Sequence, residues 1–390
     1  MTKVLFVSND PAIFDETSAV RARMRDYAVR LAAPSEASGE GRGELRIVSP
    51  APRGAKESHE GPLHLYPVQT WKLLRMRRMA RRAHALILEH GIEVVSAQDP
   101  FEEGIAALRA IEGTSAKLHV QVHTDFLSPW FTQSGNWRSA QVRMPVLNRM
   151  RLAYADEVLP KAAGIRVVSE RVKQSLLAKY AGRIVAPVVI PVQVPSVVPP
   201  AVRLPAHPFT FALMCVGRLE PEKRIEDILE ALALVVPKYP TIGLMIVGEG
   251  RERAQLEKLV QEKSLTKNVV FLGNRPDAWG LMRSAQAFIQ ASAYEGYGRT
   301  LLEAALAKVP IITTDVGIVG EVFKGYEDVL AVPVADPTAL SLSIVGIVED
   351  QGARVNLPIA AEAAARRHLA AQGDIPARIV ADLTQVAGVI

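Results

Sequence analysis

Two basic residues of the sequence are spaced as a diphosphate clamp would require. Arg218 and Lys223 lie five residues apart in the segment VGRLEPEK, residues 216–223, where an apolar run ends at Gly217 and a helix follows. Helix N-termini and paired cations both bind anions. The segment therefore predicts a diphosphate site, and the alternative is a solvated loop with surface charges.

Two carboxylates eight residues apart bracket a glycine turn. Residues 293–304 read AYEGYGRTLLEA, with Glu295 on a predicted loop and Glu303 about one turn inside a predicted helix. Exposed N–H groups of Gly298–Thr300 at that helix start favour an anion, and the flanking carboxylates suit sugar hydroxyls. This spacing argues against the alternative, a helix start with an isolated acidic cap.

A third turn carries paired glycines at residues 246–250, IVGEG. Glycine lets a ligand or a neighbouring helix approach the backbone closely. Arg253 stands where a dinucleotide fingerprint has its third glycine, so the turn is not such a fingerprint. Packing is the favoured interpretation of this turn.

A folded domain must position these segments, and the sequence pattern predicts two α/β domains. Short apolar runs alternate with helical stretches, which is typical of open parallel sheets. Seven prolines between Pro187 and Pro208 predict an extended linker. The predicted strands are Lys3–Ser8, Leu45–Ser49, Glu93–Ala97, Lys117–His123, Ala163–Ser169, Phe211–Gly217, Gly243–Gly248, Val269–Gly273, Ala287–Gln290, Val309–Thr313 and Val329–Val332.

The expected division follows from that linker. Residues 1–195 form the first domain, 196–209 the linker and 210–370 the second domain, while 371–390 form a C-terminal helix whose return to the first domain is left open. A first helix is predicted at Thr17–Ala33, capped by Ser18 or Thr17, before an exposed loop at 35–44. The ligand is expected in the cleft between the domains, because open sheets bind at the carboxyl ends of their strands.

Composition narrows the class of protein. Of 390 residues, 49% are hydrophobic and 22% charged, which argues against wholesale disorder. One cysteine excludes an internal disulfide and a Cys-based metal cluster within the chain, and no apolar run reaches the ~18–20 residues of a membrane span. We therefore expect a cytoplasmic protein without a signal peptide.

The charge is distributed unevenly along the chain. Residues 1–195 hold 27 Lys and Arg against 19 Asp and Glu, which suggests an anionic partner for the first half.

Together the three segments of the second half resemble the donor domain of the family-4 retaining glycosyltransferases. These hexosyltransferases have the GT-B fold, two Rossmann-like domains facing a central cleft. The E-x7-E element, the Gly-Arg-x4-Lys element and the V-G-E-G turn stand in the family's order, over most of residues 210–345. The resemblance implies a UDP- or GDP-sugar donor, retention of anomeric configuration and no metal or other cofactor. The absence of a D-x-D element agrees with metal independence.

The resemblance also assigns roles to individual residues. Arg218 and Lys223 would bind the donor diphosphate, Glu303 the ribose hydroxyls and Glu295 the transferred sugar. The remaining residues assigned to the donor are Gly217, Gly248, Arg275, Gly296, Tyr297, Gly298, Arg299 and Thr300.

In the first half, His123 ends an apolar strand as the family's histidine does and would lie beside the transferred sugar. The alternative is a histidine that only caps a strand. Asp125 and Arg21 are candidates for acceptor contact, and Arg21 could equally belong to a solvated face with Arg23 and Arg25. The family's glycine-rich first loop is absent, which leaves the acceptor open.

A basic helix is predicted at Trp71–His90. Arg75, Arg78, Arg81 and Arg82 fall on the side opposite its apolar residues. It is either a core-facing helix with a solvated basic face or a peripheral contact with anionic lipid, where each basic residue contributes about 1 kcal/mol. An enzyme with a lipid-linked acceptor would use such a contact on the inner membrane face.

Several other functions remain open from the sequence. The alternatives are a non-catalytic sugar-nucleotide-binding protein, or an epimerase or phosphorylase on a similar scaffold. Nucleic-acid binding is not expected, because the basic face lacks interleaved aromatic residues. The acceptor can be a glycan, a lipid-linked glycan or a small molecule, and neither the donor sugar nor the oligomeric state can be read.

Overall fold

The computed structural model describes residues 2–33, 43–71, 74–133, 143–195 and 197–388. The chain divides into two compact units. The first comprises residues 1–123, 147–191 and 374–390, and the second comprises 124–146 and 192–373. This division differs from the expected one in two places. Residues 124–146 belong to the second unit, and the C-terminal segment belongs to the first.

Parallel strands dominate both units. The strands are β1 (Lys3–Val7), β2 (Glu44–Pro50), β3 (Ser58–Glu60), β4 (Leu63–Val68), β5 (Val94–Ala97), β6 (Lys117–Val122), β7 (Gly164–Val167), β8 (Val188–Val189), β9 (Phe211–Val216), β10 (Ile242–Val247), β11 (Val269–Gly273), β12 (Ala287–Gln290), β13 (Ile311–Thr314) and β14 (Leu330–Val332). The predicted strands are confirmed, with ends that differ by at most two residues.

Helices occupy most of the connections between these strands. They are α1 (Ala19–Ala32), α2 (Arg75–His90), α3 (Glu102–Ala110), α4 (Pro129–Gln133), α5 (Arg143–Val158), α6 (Glu170–Tyr180), α7 (Ile225–Val235), α8 (Arg253–Glu262), α9 (Ala278–Met282), α10 (Arg299–Leu306), α11 (Pro337–Glu349), α12 (Gln351–Gln372) and α13 (Ile375–Ala387). Ser18 caps α1 by accepting a hydrogen bond from the Arg21 N–H at 3.1 Å, as predicted. Most of the predicted 35–44 loop lies outside the described residues.

The sheet of the first unit has the order β3-β4-β2-β1-β5-β6-β7-β8 among the described residues. Every neighbouring pair is parallel except β3 with β4. The sequence did not predict β3, β4 and β8. The reason is physical: β4 contains Pro67, and β3 and β8 are edge strands of three and two residues.

The C-terminal helix α13 packs on the first unit. Ile375, Ile379 and Leu383 join the core that contains Val4 and Phe6 of β1. His119 Nε2 lies 3.0 Å from Asp382 Oδ2, and both side chains are buried. The C-terminal segment therefore returns to the first unit's sheet.

The sheet of the second unit has the order β11-β10-β9-β12-β13-β14, with every pair parallel among the described residues. Helices α7, α8 and α11 contribute side chains to its core, in which Leu229, Leu244 and Ile344 are buried. Because the strands are parallel, their carboxyl ends meet at one edge. Two α/β units with parallel sheets confirm the predicted fold class.

The described residues of the proline-rich linker, 197–209, contain no helix or strand. It lies against the second unit: the Val202 N–H donates to Gly280 O at 2.9 Å, and Arg283 donates to Pro199 O at 2.9 Å. Among the described helices, none is both long enough and apolar enough to span a bilayer.

Candidate functional site

The loop after β9 positions Lys223. Gly217 donates its N–H to Val247 O at 3.0 Å, and a short 3-10 turn at Pro221–Lys223 leads to Arg224. Arg224 has φ of 46°, a left-handed conformation that costs about 1–2 kcal/mol for a residue with a Cβ. Its guanidinium offsets this cost by two hydrogen bonds to Asp227, at 2.6 and 2.9 Å. Lys223 is thereby held at the carboxyl edge of the sheet.

Lys223 and Glu295 form an ion pair, with Nζ donating to Oε1. Ser292 Oγ donates to the same carboxylate oxygen at 2.8 Å. The two charged side chains are 21% and 14% exposed, so water reaches them only in part. An ammonium has three donors, so Lys223 can bind an anion while one donor contacts Glu295.

The helix α10 begins beside this pair and carries the second carboxylate. Gly298, with φ of 91°, precedes the helix, and Arg299 Nε donates to Glu303 Oε1 at 2.7 Å. Burial raises the pKa of the Glu303 carboxyl, and the positive charge of Arg299 opposes that rise. The site therefore contains a carboxyl group that becomes protonated at a higher pH than that of an exposed glutamate.

The glycine turn after β10 packs against the loop that carries Arg218. Gly248 has φ of 137°, and a Cβ there would lie 1.9 Å from Gly217 O. A Cβ at Gly250 would lie 2.3 Å from Leu219 O, whose own N–H donates to Glu249 O at 3.0 Å. The close packing agrees with the interpretation favoured from the sequence, and a donor contact at Gly248 stays a prediction.

The Tyr297 side chain is buried and packs against α12. Its hydroxyl accepts a hydrogen bond from Gln372 at 2.7 Å and lies 2.9 Å from His368 Nε2, both on α12. Burial raises the pKa of Tyr297. A Cβ at Gly317, with φ of 60°, would lie 2.5 Å from Tyr297 O. Only the backbone of Tyr297 is thus placed to shape a ligand site.

The other residues predicted to contact the sugar donor differ in how firmly neighbouring groups hold their side chains. Arg218 is 73% exposed and contacts Glu222 at 3.2 Å, so it can turn toward a ligand. Arg275 is held by Asp277 at 2.8 and 2.6 Å, and this pairing lowers the pKa of Asp277. Thr300 Oγ1 donates to Gln290 at 2.8 Å. The backbone of Gly296 is buried next to Glu295.

In the first unit, His123 directly follows β6 and is exposed. Although part of the side chain reaches solvent, protein atoms around the imidazole reduce its hydration and lower its pKa, and the positive charges of Arg166 and Arg23 lower it further. His123 is therefore neutral at pH 7 and can both donate and accept a hydrogen bond. Its catalytic role stays a prediction.

Arg21 and Asp125 are less open to an acceptor than the sequence suggested. Arg21 is buried, forms an ion pair with Glu60 and donates to Ile13 O at 3.2 Å. Asp125 is 9% exposed and belongs to the second unit. The side chain of Arg21 thus stabilises the first unit, and it is not part of a solvated face.

Sequence reasoning missed three residues that hold Glu295 in place. Besides Ser292, Glu222 O accepts from the Ala293 N–H at 2.7 Å, and Thr314 Oγ1 donates to Ser292 O at 2.6 Å. The three-residue separation of Ser292 and Glu295 was the available local signal, whereas the Thr314 contact depends on the pairing of β12 with β13. No group of three or more His, Cys, Asp or Glu is arranged to hold a metal ion among the described residues.

Comparison with family models assigns both halves of the chain. Residues 19–219 match the family described as Glycosyltransferase Family 4, and residues 209–364 match Glycosyl transferases group 1. Glycogen synthase of Mycobacterium tuberculosis is 31% identical over 144 residues, 36% of this chain and 34% of that protein. The aligned stretches span only 20% to 42% of the length of the curated relatives.

Solved structures resemble the whole chain. Sucrose-phosphate synthase from Thermosynechococcus elongatus covers 100% of both chains, with a TM-score of 0.79 and 19% identity. Anabaena HepE, solved in complex with UDP-glucose, covers 100% of this chain and 99% of its own, with a TM-score of 0.66 and 18% identity. At these identities the likeness establishes the GT-B fold alone.

Proposed function

Because the chain belongs to Glycosyltransferase Family 4, we propose that it transfers a sugar from a nucleotide-diphosphate donor to an acceptor hydroxyl, with retention of configuration and without a metal. The observation that carries this proposal is the Lys223–Glu295 ion pair at the carboxyl edge of the second unit's sheet, with Glu303 on the helix α10 that begins four residues after Glu295. It combines a cation for the diphosphate with two carboxylates that can accept hydrogen bonds from hydroxyls.

The proposed chemistry develops opposite charges. As the bond from the anomeric carbon to the diphosphate oxygen breaks, positive charge grows on the sugar and negative charge on the phosphate. Lys223, the exposed Arg218 and the N–H groups at the start of α10 stabilise that phosphate. The acceptor oxygen forms the new bond on the same face of the sugar, and its proton passes to the departing phosphate.

The ion pair has a further consequence for donor binding. Without donor, Glu295 neutralises Lys223. A bound diphosphate takes the other donors of the ammonium, and the second carboxylate oxygen of Glu295 accepts a hydrogen bond from a hydroxyl of the transferred sugar. His123 stays a proposed catalytic residue of the first unit, and its neutral imidazole can donate and accept hydrogen bonds.

The test of the proposed function is a thermal-shift screen against UDP, GDP, ADP and their sugar conjugates. A ligand at a hundredfold its Kd adds about 2.7 kcal/mol of stability. We expect stabilisation by one nucleotide family and its loss in Lys223→Ala. A protein that no nucleotide stabilises would contradict the proposal and favour a non-catalytic role.

Donor binding is expected to weaken at acidic pH through Glu303. Its carboxylate accepts ribose hydroxyls only when ionised, and its pKa is raised. Affinity should therefore fall as the pH drops, beginning above the range of an ordinary glutamate, about 4.3. Arg299→Ala removes a charge that lowers this pKa, so the fall should begin at higher pH.

Calorimetry with an intact UDP- or GDP-sugar measures this dependence, because the terminal phosphate of a free nucleotide titrates near pH 6 and obscures it. Glu303→Gln is the control, since it has no carboxyl to titrate. A Glu303→Gln profile that matches the wild-type profile would exclude Glu303 as the titrating group.

The acceptor side of the proposal includes an anionic membrane surface in the cytoplasm. The helix α2 buries Met79, Ala83 and Leu86 against the core, and Arg77 and Arg81 are exposed on its other side. Lys72 and Leu73, at the predicted helix start, lie outside the described residues. Co-sedimentation with vesicles should require phosphatidylglycerol and fall with salt. Equal binding to neutral vesicles would refute this contact.

A further inference from the structure

The first unit has a cavity of about 390 Å³ beside β2 and β4. Its lining consists of Ala51, Arg53, Gln69, Thr70, Trp71 and Arg78. Ala51 directly follows β2 and Gln69 directly follows β4, which are parallel neighbours. The cavity therefore lies at the carboxyl edge of the sheet, the edge at which open α/β sheets bind ligands.

Two arginines of this cavity are not neutralised. Within the described ranges, neither Arg53 nor Arg78 forms an ion pair with a carboxylate, and Arg78 donates only to Gln69 O, at 3.3 Å. By contrast, Arg82 on the same helix pairs with Glu57. Guanidinium groups present planar pairs of donors that match phosphate oxygens.

The rest of the lining suits an organic phosphate better than a free ion. Trp71 is 80% exposed, an unusual position for a large aromatic side chain. The Thr70 hydroxyl also borders the cavity, and it makes no hydrogen bond in the described part of the chain. The indole can pack on an organic group, and the hydroxyl becomes a third donor when the side chain turns toward the ligand.

The sheet order sets how far this cavity lies from His123. Along the edge, β2 is three strands from β6 and β4 is four strands away. At about 4.8 Å per strand, the separation is roughly 14–19 Å. A ligand that reaches both places must be longer than a single sugar.

We propose that this cavity binds a phosphate group of the acceptor, at a distance from the hydroxyl that receives the sugar. The acceptor assignment rests on the proposed function, whereas the phosphate site itself does not. The phosphate belongs either to a soluble phosphorylated molecule or to a lipid headgroup, and both present the same oxygens to Arg53 and Arg78.

Calorimetry with phenyl phosphate and with inorganic phosphate tests the site on the full chain. The double variant Arg53→Ala/Arg78→Ala should lose at least about 10-fold in affinity for both, since each charge-assisted contact is strong. Arg77→Ala is the matched control, because Arg77 is exposed on the same helix and does not line the cavity. Trp71→Ala should lower the affinity for phenyl phosphate more than the affinity for inorganic phosphate. An equal loss in Arg77→Ala would overturn the proposal.

The variant Lys223→Ala distinguishes phosphate binding in this cavity from phosphate binding at the nucleotide site. Phenyl phosphate binding that survives in Lys223→Ala but not in the double variant supports the cavity; the opposite pattern overturns it. Nucleotide stabilisation should be unchanged in the double variant, which also shows that the variant folds. If nucleotides stabilise the protein and phenyl phosphate does not bind, the cavity proposal fails alone. If only phenyl phosphate binds, and Arg53 and Arg78 are required, the proposed function fails alone.

Vesicles distinguish the two sources of phosphate. Phosphatidylcholine vesicles with and without phosphatidylglycerol are co-sedimented with the wild type, the double variant and Arg109→Ala, whose arginine is exposed on α3 and lies neither in the cavity lining nor on the basic face of α2. Binding that is lost in the double variant and kept in Arg109→Ala assigns the site to a lipid headgroup. Phenyl phosphate binding without vesicle binding assigns it to a soluble acceptor. Vesicle binding that both variants reduce equally, with no phenyl phosphate binding, overturns the proposal.

Discussion

Replacing Lys223 by alanine is expected to lower kcat by about 10²–10³-fold, the usual loss when one group that stabilises a developing oxyanion is removed. Lys223 lies at the carboxyl edge of the second sheet, held by the 3-10 turn at Pro221–Lys223 and by the left-handed Arg224. Its ammonium is 21% exposed and pairs with Glu295, whereas the Arg218 side chain is 73% exposed. Turnover of the donor identified by thermal shift measures the effect.

This variant also leaves Glu295 without its cation. The pair is partly buried, so the stability cost is about 1–3 kcal/mol, below that of a fully buried pair. The double variant Lys223→Ala/Glu295→Gln removes the unpaired charge and should recover stability without recovering turnover. A kcat that returns with stability would assign Lys223 a structural role only.

Lys258→Ala is the matched lysine control. Lys258 is 75% exposed on α8 of the same unit and pairs with Glu262 at 3.4 Å. Exposed i,i+4 pairs contribute only about 0.3–0.5 kcal/mol, so neither kcat nor stability should change measurably. Turnover of Lys223→Ala close to that of Lys258→Ala would refute the diphosphate role.

Gly248→Ala is expected to destabilise the second unit by about 3–5 kcal/mol. The φ of 137° is strained for any residue with a Cβ, and the new methyl group would lie 1.9 Å from Gly217 O, which is backbone and cannot turn away. Chemical denaturation of the full chain, followed by a signal from the second unit, measures the change.

The control for this variant is Gly346→Ala. Gly346 lies inside α11, and a Cβ there would meet no atom within 4 Å. Alanine at such a position should stabilise the helix by about 0.5–1 kcal/mol. Wild-type stability in Gly248→Ala, together with loss of nucleotide stabilisation, would show that the turn contacts the donor and that packing is not its main role.

The strands of the second unit could be predicted because each is buried. Phe211–Val216 and Ile242–Val247 read as continuous apolar runs, the pattern of parallel strands covered on both faces. The strand β4 was missed since its run is interrupted by His64 and Pro67. Helix ends were predicted to within a few residues, because capping residues such as Ser18 act locally.

The site was only partly accessible to sequence reasoning. Lys223 and Glu295 were both identified, but they are 72 positions apart, and no local pattern shows that they pair. Tyr297 and Arg21 were assigned to ligands, whereas the structure engages their side chains with His368 and Glu60. Each of these contacts joins residues that are distant in the chain, so it depends on how the helices and strands pack.

By itself, the sequence determined the two α/β domains, the linker between their sheets and the residue types of a phosphate and sugar site, since these depend on local apolar patterning and spacing. Only the tertiary structure decided that Lys223 meets Glu295 and that Gly248 packs on Gly217. It also decided that Arg53 and Arg78 line one cavity and that α13 returns to the first unit. The physical reason is that strand order brings distant residues to a common edge, and strand order is set by packing of the whole core.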